Sequence, residues 1–181
     1  MKKLFLSLLL ALVYGFVSAQ TIEKSYYFDQ PLITTLQGYE QIQLRGCLQS
    51  ALAGQPSLPW QSVSLMLPPG QEAASIEVLL SDFQEMEGSH VIFPYQPSRM
   101  TGDDTPRALV KDEALYASKG VYPIENHGNV TTQYKNGFGF AFSAFTPVRY
   151  IPSSGKVMYA RKATVRVNLV SAKADHSAML W

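Results

Sequence analysis

The sequence predicts an all-β domain, an antiparallel β-sandwich of the jelly-roll type with at most one or two short helical turns. Three observations predict this fold. Short segments alternate apolar and polar residues with a period of two, which is typical of strands that bury one face. Turn-forming Gly, Pro and Ser residues separate these segments. No segment keeps the apolar period of a long helix.

The start of the chain has the pattern of an export signal. A basic start at residues 1–3 precedes an apolar stretch over residues 4–17, and small residues follow it. We therefore expect signal peptidase to cut between Ala19 and Gln20 and to remove residues 1–19. The apolar stretch is short for a membrane span. The protein is then expected to be exported to the periplasm, the cell surface or the medium.

The composition of the mature chain narrows the classes of function. Loss of Lys2 and Lys3 reduces the 15 basic residues to 13, against 14 acidic ones, so the net charge is near −1. Binding of nucleic acid or of a membrane surface requires clustered positive charge, which this balance disfavours. The single cysteine, Cys47, cannot form an internal disulfide, so the core has to stabilise the fold. Its apolar neighbours predict a structural thiol.

Each candidate strand has one apolar face, which we predict to lie in the core. In chain order these faces are Ile42 and Leu44; Val63, Leu65 and Leu67; Ile76, Val78 and Leu80; the run "HVIFP", which begins at His90 and stops at Pro94; and Phe138, Phe140 and Phe142. Two segments are candidates for short helical turns. They are "SDFQEMEGS" from Ser81 and "PRALVKDEALYAS" from Pro106.

The last strand has the clearest pattern. Six of the seven odd positions from Val157 to Leu169 are apolar, so one face of this strand is predicted to be buried. The preceding "PSSGK" should reverse the chain into a hairpin, because Gly155 tolerates a positive φ. Pro147 and Pro152 lack an amide donor, and we expect the incoming segment to lie at a sheet edge or a bend.

The residues that could carry chemistry have no suitable spacing. His90, His127 and His176 form no ligand motif with one another or with Cys47. The pair Asp103-Asp104 lacks the alternate acidic positions of a calcium loop, and a Gly-rich phosphate loop is missing. We therefore predict no catalytic residue, no metal site and no cofactor.

The order of several segments carries a resemblance. In sequence, these are "GQPSLPWQSVSLMLPPG", "SIEVLL", "VIFPYQPSR", "GVYP" and "FSAFTPVRYIPSSGKVMYARKATVRV". This order resembles the N-terminal propeptides of gingipain-type secreted cysteine peptidases, in which a Pro-x-x-Tyr-x-Pro element precedes the final hairpin strand. Here that element is Pro147, Tyr150 and Pro152. The resemblance covers about residues 54–170.

The resemblance implies a non-catalytic β-sandwich prodomain. Such a domain assists folding of the peptidase and covers its active-site cleft until it is removed. Its partner would be the cognate cysteine peptidase domain, expected downstream in the same precursor. Residues 20–170 would form the prodomain, and residues 171–181 would form a tail or the start of a link to the peptidase.

In the Arg-specific members of that family, a basic residue of one loop occupies the specificity pocket. The corresponding loop here is Tyr95–Arg107, which is polar and contains Gly and Pro, so it is predicted to lie at the surface. Counting without gaps from Pro94 to Pro123 places the family position near Thr101. The candidates for the residue that enters the cleft are Arg99, Met100, Thr101 and Arg107.

Two other classes of function remain open at this point. A free-standing exported binding module could present Trp60, Tyr134 and Tyr150 to a glycan or a protein, although each lies within or beside an apolar run that predicts ordinary packing. An enzyme that uses Cys47 is the other alternative. Such an enzyme needs an activated thiolate, whereas a structural cysteine is inert.

Overall fold

The computed structural model describes residues 20–50, 52–97 and 108–172. Within these ranges the chain forms ten β-strands and one short α-helix. The elements are β1 (Thr21–Tyr27), β2 (Leu32–Leu36), β3 (Tyr39–Gln43), β4 (Leu48–Gln49), β5 (Pro59–Met66), β6 (Gln71–Glu85), α1 (Glu113–Tyr116), β7 (Thr131–Lys135), β8 (Phe138–Phe145), β9 (Val148–Ile151) and β10 (Lys156–Ser171).

The first sheet is organised around β10. Along one side, β10 pairs antiparallel with β6. Along its other side, it pairs antiparallel with β9 near its start and with β1 further along. Gly155 lies in the turn between β9 and β10 with φ +69°, which confirms the predicted hairpin.

The second sheet has the strand order β4-β5-β8-β7, and each neighbouring pair is antiparallel. Strands β2 and β3 form a separate two-stranded hairpin. The all-β prediction is therefore confirmed. So is the short helix after Pro106, where Asp112 caps α1 by accepting a hydrogen bond from the amide of Leu115 at 3.0 Å.

One apolar core lies between the two sheets. The six apolar odd residues of β10 from Val157 to Leu169 and the predicted inner face of β5 belong to the same buried cluster, and Val165 and Val63 have almost no exposed surface. Ile42 of β3, also predicted as an inward residue, is completely buried. The alternating patterns of β3, β5 and β10 thus predicted the core correctly, because each of these strands buries only one face.

The predicted inward face of β8 is wrong. Phe138 is 58% exposed and Phe140 and Phe142 are half-buried, whereas Ala141 and Phe145 on the opposite face are completely buried. At Gly139 the inner face has no room for a large side chain. A Cβ atom added at Gly139 would lie 3.3 Å from the Tyr134 ring and 3.5 Å from Leu67. The large aromatic side chains therefore point outward.

The helical turn predicted from Ser81 is also wrong. Residues 81–85 continue β6 and pair with β10, from Ser81 opposite Lys162 to Glu85 opposite Met158. All five residues are exposed, so this end of the strand has no buried face and no apolar period in the sequence. Asp82, with φ +55°, further interrupts the alternation.

Candidate functional site

The candidate site is the base of the Tyr95–Arg107 loop. Arg99, Met100, Thr101 and Arg107 lie outside the residues that the structure describes. The two ends of the loop are described, at residues 95–97 and 108–110. The site is therefore built from the segments that hold these two ends.

The segment that leads into the loop is the run "HVIFP". Ile92 and Phe93 are buried, as an apolar run implies, but the segment forms single bridges instead of the predicted strand. Ile92 bridges to Glu40 of β3, and Pro94 bridges to Pro56. The amide of Phe93 donates to the carbonyl of Glu40 at 2.7 Å. The run is thus inserted between β3 and the connection from β4 to β5.

Two buried tyrosines hold this incoming segment from the side. The hydroxyl of Tyr150 donates to the carbonyl of His90 at 3.0 Å, and the hydroxyl of Tyr116 donates to the carbonyl of Ile92 at 2.6 Å. Burial raises the pKa of both phenols, so both stay protonated and remain donors at neutral pH. These bonds satisfy carbonyls that no regular sheet partner would satisfy.

Gln96 joins the two ends of the loop. Its Nε2 donates to the carbonyl of Val110 at 2.8 Å and to that of Pro94 at 2.8 Å. Its Oε1 accepts from the amide of Val110 at 2.9 Å. The side-chain amide therefore takes the place of a backbone peptide opposite Val110.

Gly54 contacts both ends of the loop as well. Its amide donates to the carbonyl of Tyr95 at 2.8 Å, and its carbonyl accepts from the amide of Asp112 at 2.9 Å. Gly54 has φ +76°, and a Cβ atom there would lie 3.3 Å from Val110 Cγ1. Glycine is favoured here by both the backbone conformation and the close approach of the returning chain.

A cavity of about 430 Å³ lies at this base. It is lined by both ends of the loop together with residues of the β2–β3 turn and the incoming run: Gln37, Phe93, Gln96, Pro97, Ala108, Leu109 and Val110. None of these side chains is ionisable. Among the described residues, the lining of this cavity is apolar or carries neutral amides.

His90 is buried beside the loop base. Its Nδ1 lies 2.7 Å from Oε2 of Glu40. His127 forms an isolated antiparallel bridge with Phe145, and its Nδ1 lies 2.9 Å from Oδ1 of Asn126. His176 lies outside the described residues. In the described ranges, no group of three or more potential ligands could hold a metal ion.

Cys47 is half-buried, and its Sγ lies 3.8 Å from Oε1 of Gln61. Burial raises the pKa of the thiol to about 11, so the thiolate is scarce at neutral pH. This is the environment of a structural cysteine, as the sequence predicted, and not of a nucleophile.

The aromatic residues considered for a glycan or protein module do not form one surface. Tyr150 is completely buried. Trp60 and Tyr134 lie near opposite ends of β8. Gln61, next to Trp60, pairs with Phe145, whereas Tyr134 pairs with Gly139. These two positions of β8 are six residues apart, which corresponds to about 20 Å along the strand. Tyr134 donates its hydroxyl to Glu72 at 3.2 Å. The three side chains cannot bind one ligand together.

The sequence did not single out Gln96 or Gly54. A glutamine carries no signal of its own, and its partner Val110 lies 14 positions further along the chain. Of the predicted signal-peptidase site, only Gln20 is described; it is exposed, and its carbonyl accepts from the amide of Leu169 at 2.8 Å. Among the described residues, no helix is long and apolar enough to cross a membrane.

The chain is similar to one protein family and to solved structures of gingipain prodomains. A family model described as Propeptide_C25 matches residues 26–178. A solved structure on the zymogenic latency of gingipain K from Porphyromonas gingivalis is 20% identical, with a TM-score of 0.63, over 87% of this chain and 96% of that one. A complex of Porphyromonas gingivalis RgpB pro- and mature domains is 17% identical, with a TM-score of 0.66, over 86% and 83% of the two chains. No curated protein matches the chain.

Proposed function

Since this chain belongs to the Propeptide_C25 family, we propose that it is the non-catalytic prodomain of a gingipain-like cysteine peptidase, whose folding it assists and whose active-site cleft it covers. The family match, over residues 26–178, is the observation that carries the proposal. The fold shared with the gingipain K and RgpB structures supports it. The half-buried Cys47, whose thiol pKa is raised by burial, agrees with a structural role for this cysteine in such a prodomain.

In this proposal the loop after Pro97 enters the cleft. Ten residues, 98–107, lie between the two described ends. A loop of this length, anchored at both ends, can extend about 15 Å from its base, since an extended residue spans about 3.4 Å. This reach is sufficient for one of Arg99, Met100, Thr101 or Arg107 to occupy a specificity pocket. The hydrogen bonds of Gln96 and Gly54 fix the direction in which the loop leaves the domain.

The remaining parts of the chain have proposed roles in export and connection. Residues 1–19 act as a signal peptide that is cut between Ala19 and Gln20, so the precursor is exported. Strand β1 starts at Thr21, directly after this position, which leaves the whole folded domain intact after cleavage. Residues 171–181 form a tail or the start of the link to the peptidase, which is the proposed partner.

The inhibitory role is tested with the two domains made separately. Residues 20–181 are added in increasing amounts to the peptidase domain of the same precursor, and hydrolysis of fluorescent casein is followed. We expect hydrolysis to be suppressed near a one-to-one ratio. Unchanged hydrolysis at a large excess of the domain would exclude the inhibitory role.

The loop assignment has its own experiment. Arg99, Met100, Thr101 and Arg107 are each replaced by alanine, and the inhibition constant is measured for each variant. The residue that enters the pocket should lose about tenfold or more in affinity, whereas its neighbours should change little. Equal, small effects at all four positions would exclude this loop as the element that enters the cleft.

A further inference from the structure

The outer face of the second sheet carries large apolar side chains. Leu48 of β4 is 69% exposed, Met66 of β5 62% and Phe138 of β8 58%. The register places Met66 opposite Phe140 and Leu48 opposite Trp60, and the rings of Phe140 and Phe142 are 6.1 Å apart. We call this surface the aromatic face. It consists of Leu48, Trp60, Met66, Phe138, Phe140 and Phe142.

The aromatic face is almost free of charge. Its other strand positions on β5, β7 and β8 are Ser62, Ser64, Ala144, Thr131, Gln133 and Lys135. Lys135 is therefore the only charged residue among the described strand positions of this face. Interface cores have this composition, in which charged residues are depleted and aromatic residues and methionine are enriched.

The outer face of the first sheet also has exposed apolar side chains, such as Tyr27 and Leu79, but it mixes them with charged ones. It carries Glu23, Glu77 and Arg166 on three neighbouring strands, and Arg166 Nε lies 2.7 Å from Glu23 Oε2. A further exposed pair joins Lys156 and Glu85 at 3.1 Å. Ion pairs of this kind are typical of a solvent-exposed surface. Of the two outer faces, the aromatic face is the one that gains most from being covered.

The aromatic face also connects two fixed points on the domain. At one end, the β4–β5 connection carries Gly54, which holds the base of the loop. At the other end, the amide of Ala172, beyond β10, donates to the carbonyl of Gly70 in the turn after β5 at 2.8 Å. Met66 and Phe138 lie at this end, where Leu67 bonds to Gly139. A partner that receives the loop and is also joined to the chain after Ala172 has to extend along the aromatic face, from the loop base to the end at Met66 and Phe138.

We propose that the aromatic face is the surface on which the peptidase domain of the precursor docks. This inference rests on the proposed function, since it names the surface that the covering partner uses. The peptidase then presents an apolar, uncharged patch that extends along the aromatic face, from the side of the loop base to Met66 and Phe138 at the opposite end. The aromatic face supplies the apolar centre of the interface, and the loop supplies the contact in the pocket.

A pair of double variants tests the docking surface. Met66→Glu with Phe138→Glu places two charges on the aromatic face, at side chains that are mostly exposed and contribute little to the core. Tyr27→Glu with Leu79→Glu is the matched control on the outer face of the first sheet, where these residues are 75% and 49% exposed. Thermal unfolding checks that both variants keep the wild-type fold, and sedimentation checks their association state.

We expect the Met66/Phe138 variant to inhibit the separately made peptidase domain at least about tenfold more weakly, and the control to inhibit like the wild type. In addition, peroxide should oxidise Met66 in the free domain and spare it in the complex. Equal inhibition by both variants, or equal oxidation of Met66 with and without the peptidase, would overturn the docking surface while leaving inhibition intact. Wild-type self-association through this face would also overturn it. A wild-type domain that does not inhibit would instead refute the proposed function.

Discussion

The side chain of Gln96 and the main chain of Val110 form a closed hydrogen-bonded pair. Nε2 donates to the Val110 carbonyl at 2.8 Å, and Oε1 accepts from the Val110 amide at 2.9 Å. This pair fixes the separation of the two ends of the loop before any partner is bound. A loop with fixed ends loses less conformational entropy when it enters a cleft, so the pair should favour inhibition directly.

The first prediction concerns this pair. Gln96→Ala removes all three hydrogen bonds of the side-chain amide and breaks the direct link between residues 96 and 110. We expect the inhibition constant to rise about tenfold, because the loop then loses more conformational entropy when it enters the cleft. The inhibition assay with the separately made peptidase domain measures this change.

Its control is Gln84→Ala, at an exposed glutamine of β6 in the first sheet, away from the loop base. This variant should inhibit like the wild type. If Gln96→Ala lowers the melting temperature but leaves inhibition unchanged, Gln96 stabilises the domain without positioning the loop.

The second prediction concerns the hairpin glycine. A Cβ atom at Gly155, which has φ +69°, would lie 2.7 Å from the amide nitrogen and 2.9 Å from the carbonyl oxygen of His90. Gly155→Ala should therefore destabilise the fold by about 1–2 kcal/mol for the left-handed conformation and by about 1–3 kcal/mol more for the crowding. Urea unfolding measures the sum.

Gly70→Ala separates the two contributions. Gly70 has φ +73°, but nothing lies within 4 Å of a Cβ atom there. The free energy of unfolding of this variant should fall only by the contribution of the left-handed conformation, about 1–2 kcal/mol. Equal losses at the two positions would show that the segment at His90 moves aside without cost.

The sequence predicted those parts of the fold that alternate clearly. In β5 and β10 the inward residues are apolar and the outward ones mostly polar, so the period of two is visible. Strand β1 was not predicted, because its partly buried residues, Ile22 and Tyr26, are separated by an exposed Lys24. The buried face of β8 was predicted incorrectly for a different reason. Both faces of this strand are mostly apolar, so alternation alone could not decide which one is buried.

The candidate site was predictable only in outline. The Gly and Pro residues marked where the loop is, but not what holds it. The hydrogen bonds of Gln96 and Gly54 depend on segments that are distant in sequence and adjacent only in the folded chain. The same is true of His90, whose partner Glu40 lies 50 positions earlier. Contacts of this kind have no local signature.

The third prediction concerns this pair, in which His90 is buried and Glu40 is half-buried. His90 is 5% exposed, and its other ring nitrogen, Nε2, is buried without a hydrogen-bond partner among the described residues. Glu40→Ala would leave Nδ1 without a partner as well, at a cost of about 1–3 kcal/mol. Glu40→Gln keeps an acceptor and should retain most of the stability. The urea midpoint measures both variants.

The control is Glu85→Ala, which removes the partner of Lys156 in an exposed ion pair. Exposed pairs contribute about 0–1 kcal/mol, so this loss should be small. A loss for Glu40→Ala as small as that for Glu85→Ala would mean that the pair of His90 and Glu40 contributes no more than a surface one.

The last prediction concerns Cys47. Because burial raises the pKa of the thiol from 9.0 to about 11, the thiolate fraction at pH 8 should be about a hundredfold lower in the folded protein than in the unfolded chain. Alkylation by iodoacetamide should be slow at pH 8 and become fast in urea. The folded state keeps the thiol protonated up to a higher pH than the unfolded chain does. The contribution of this group to the free energy of unfolding is therefore complete below about pH 9 and falls as the pH rises towards 11.

An exposed thiol, made by Ser153→Cys in a Cys47→Ala background, is the control. If Cys47 in the folded domain reacts as fast as this exposed thiol at pH 8, it is not a structural cysteine, and an enzyme that uses Cys47 becomes tenable again.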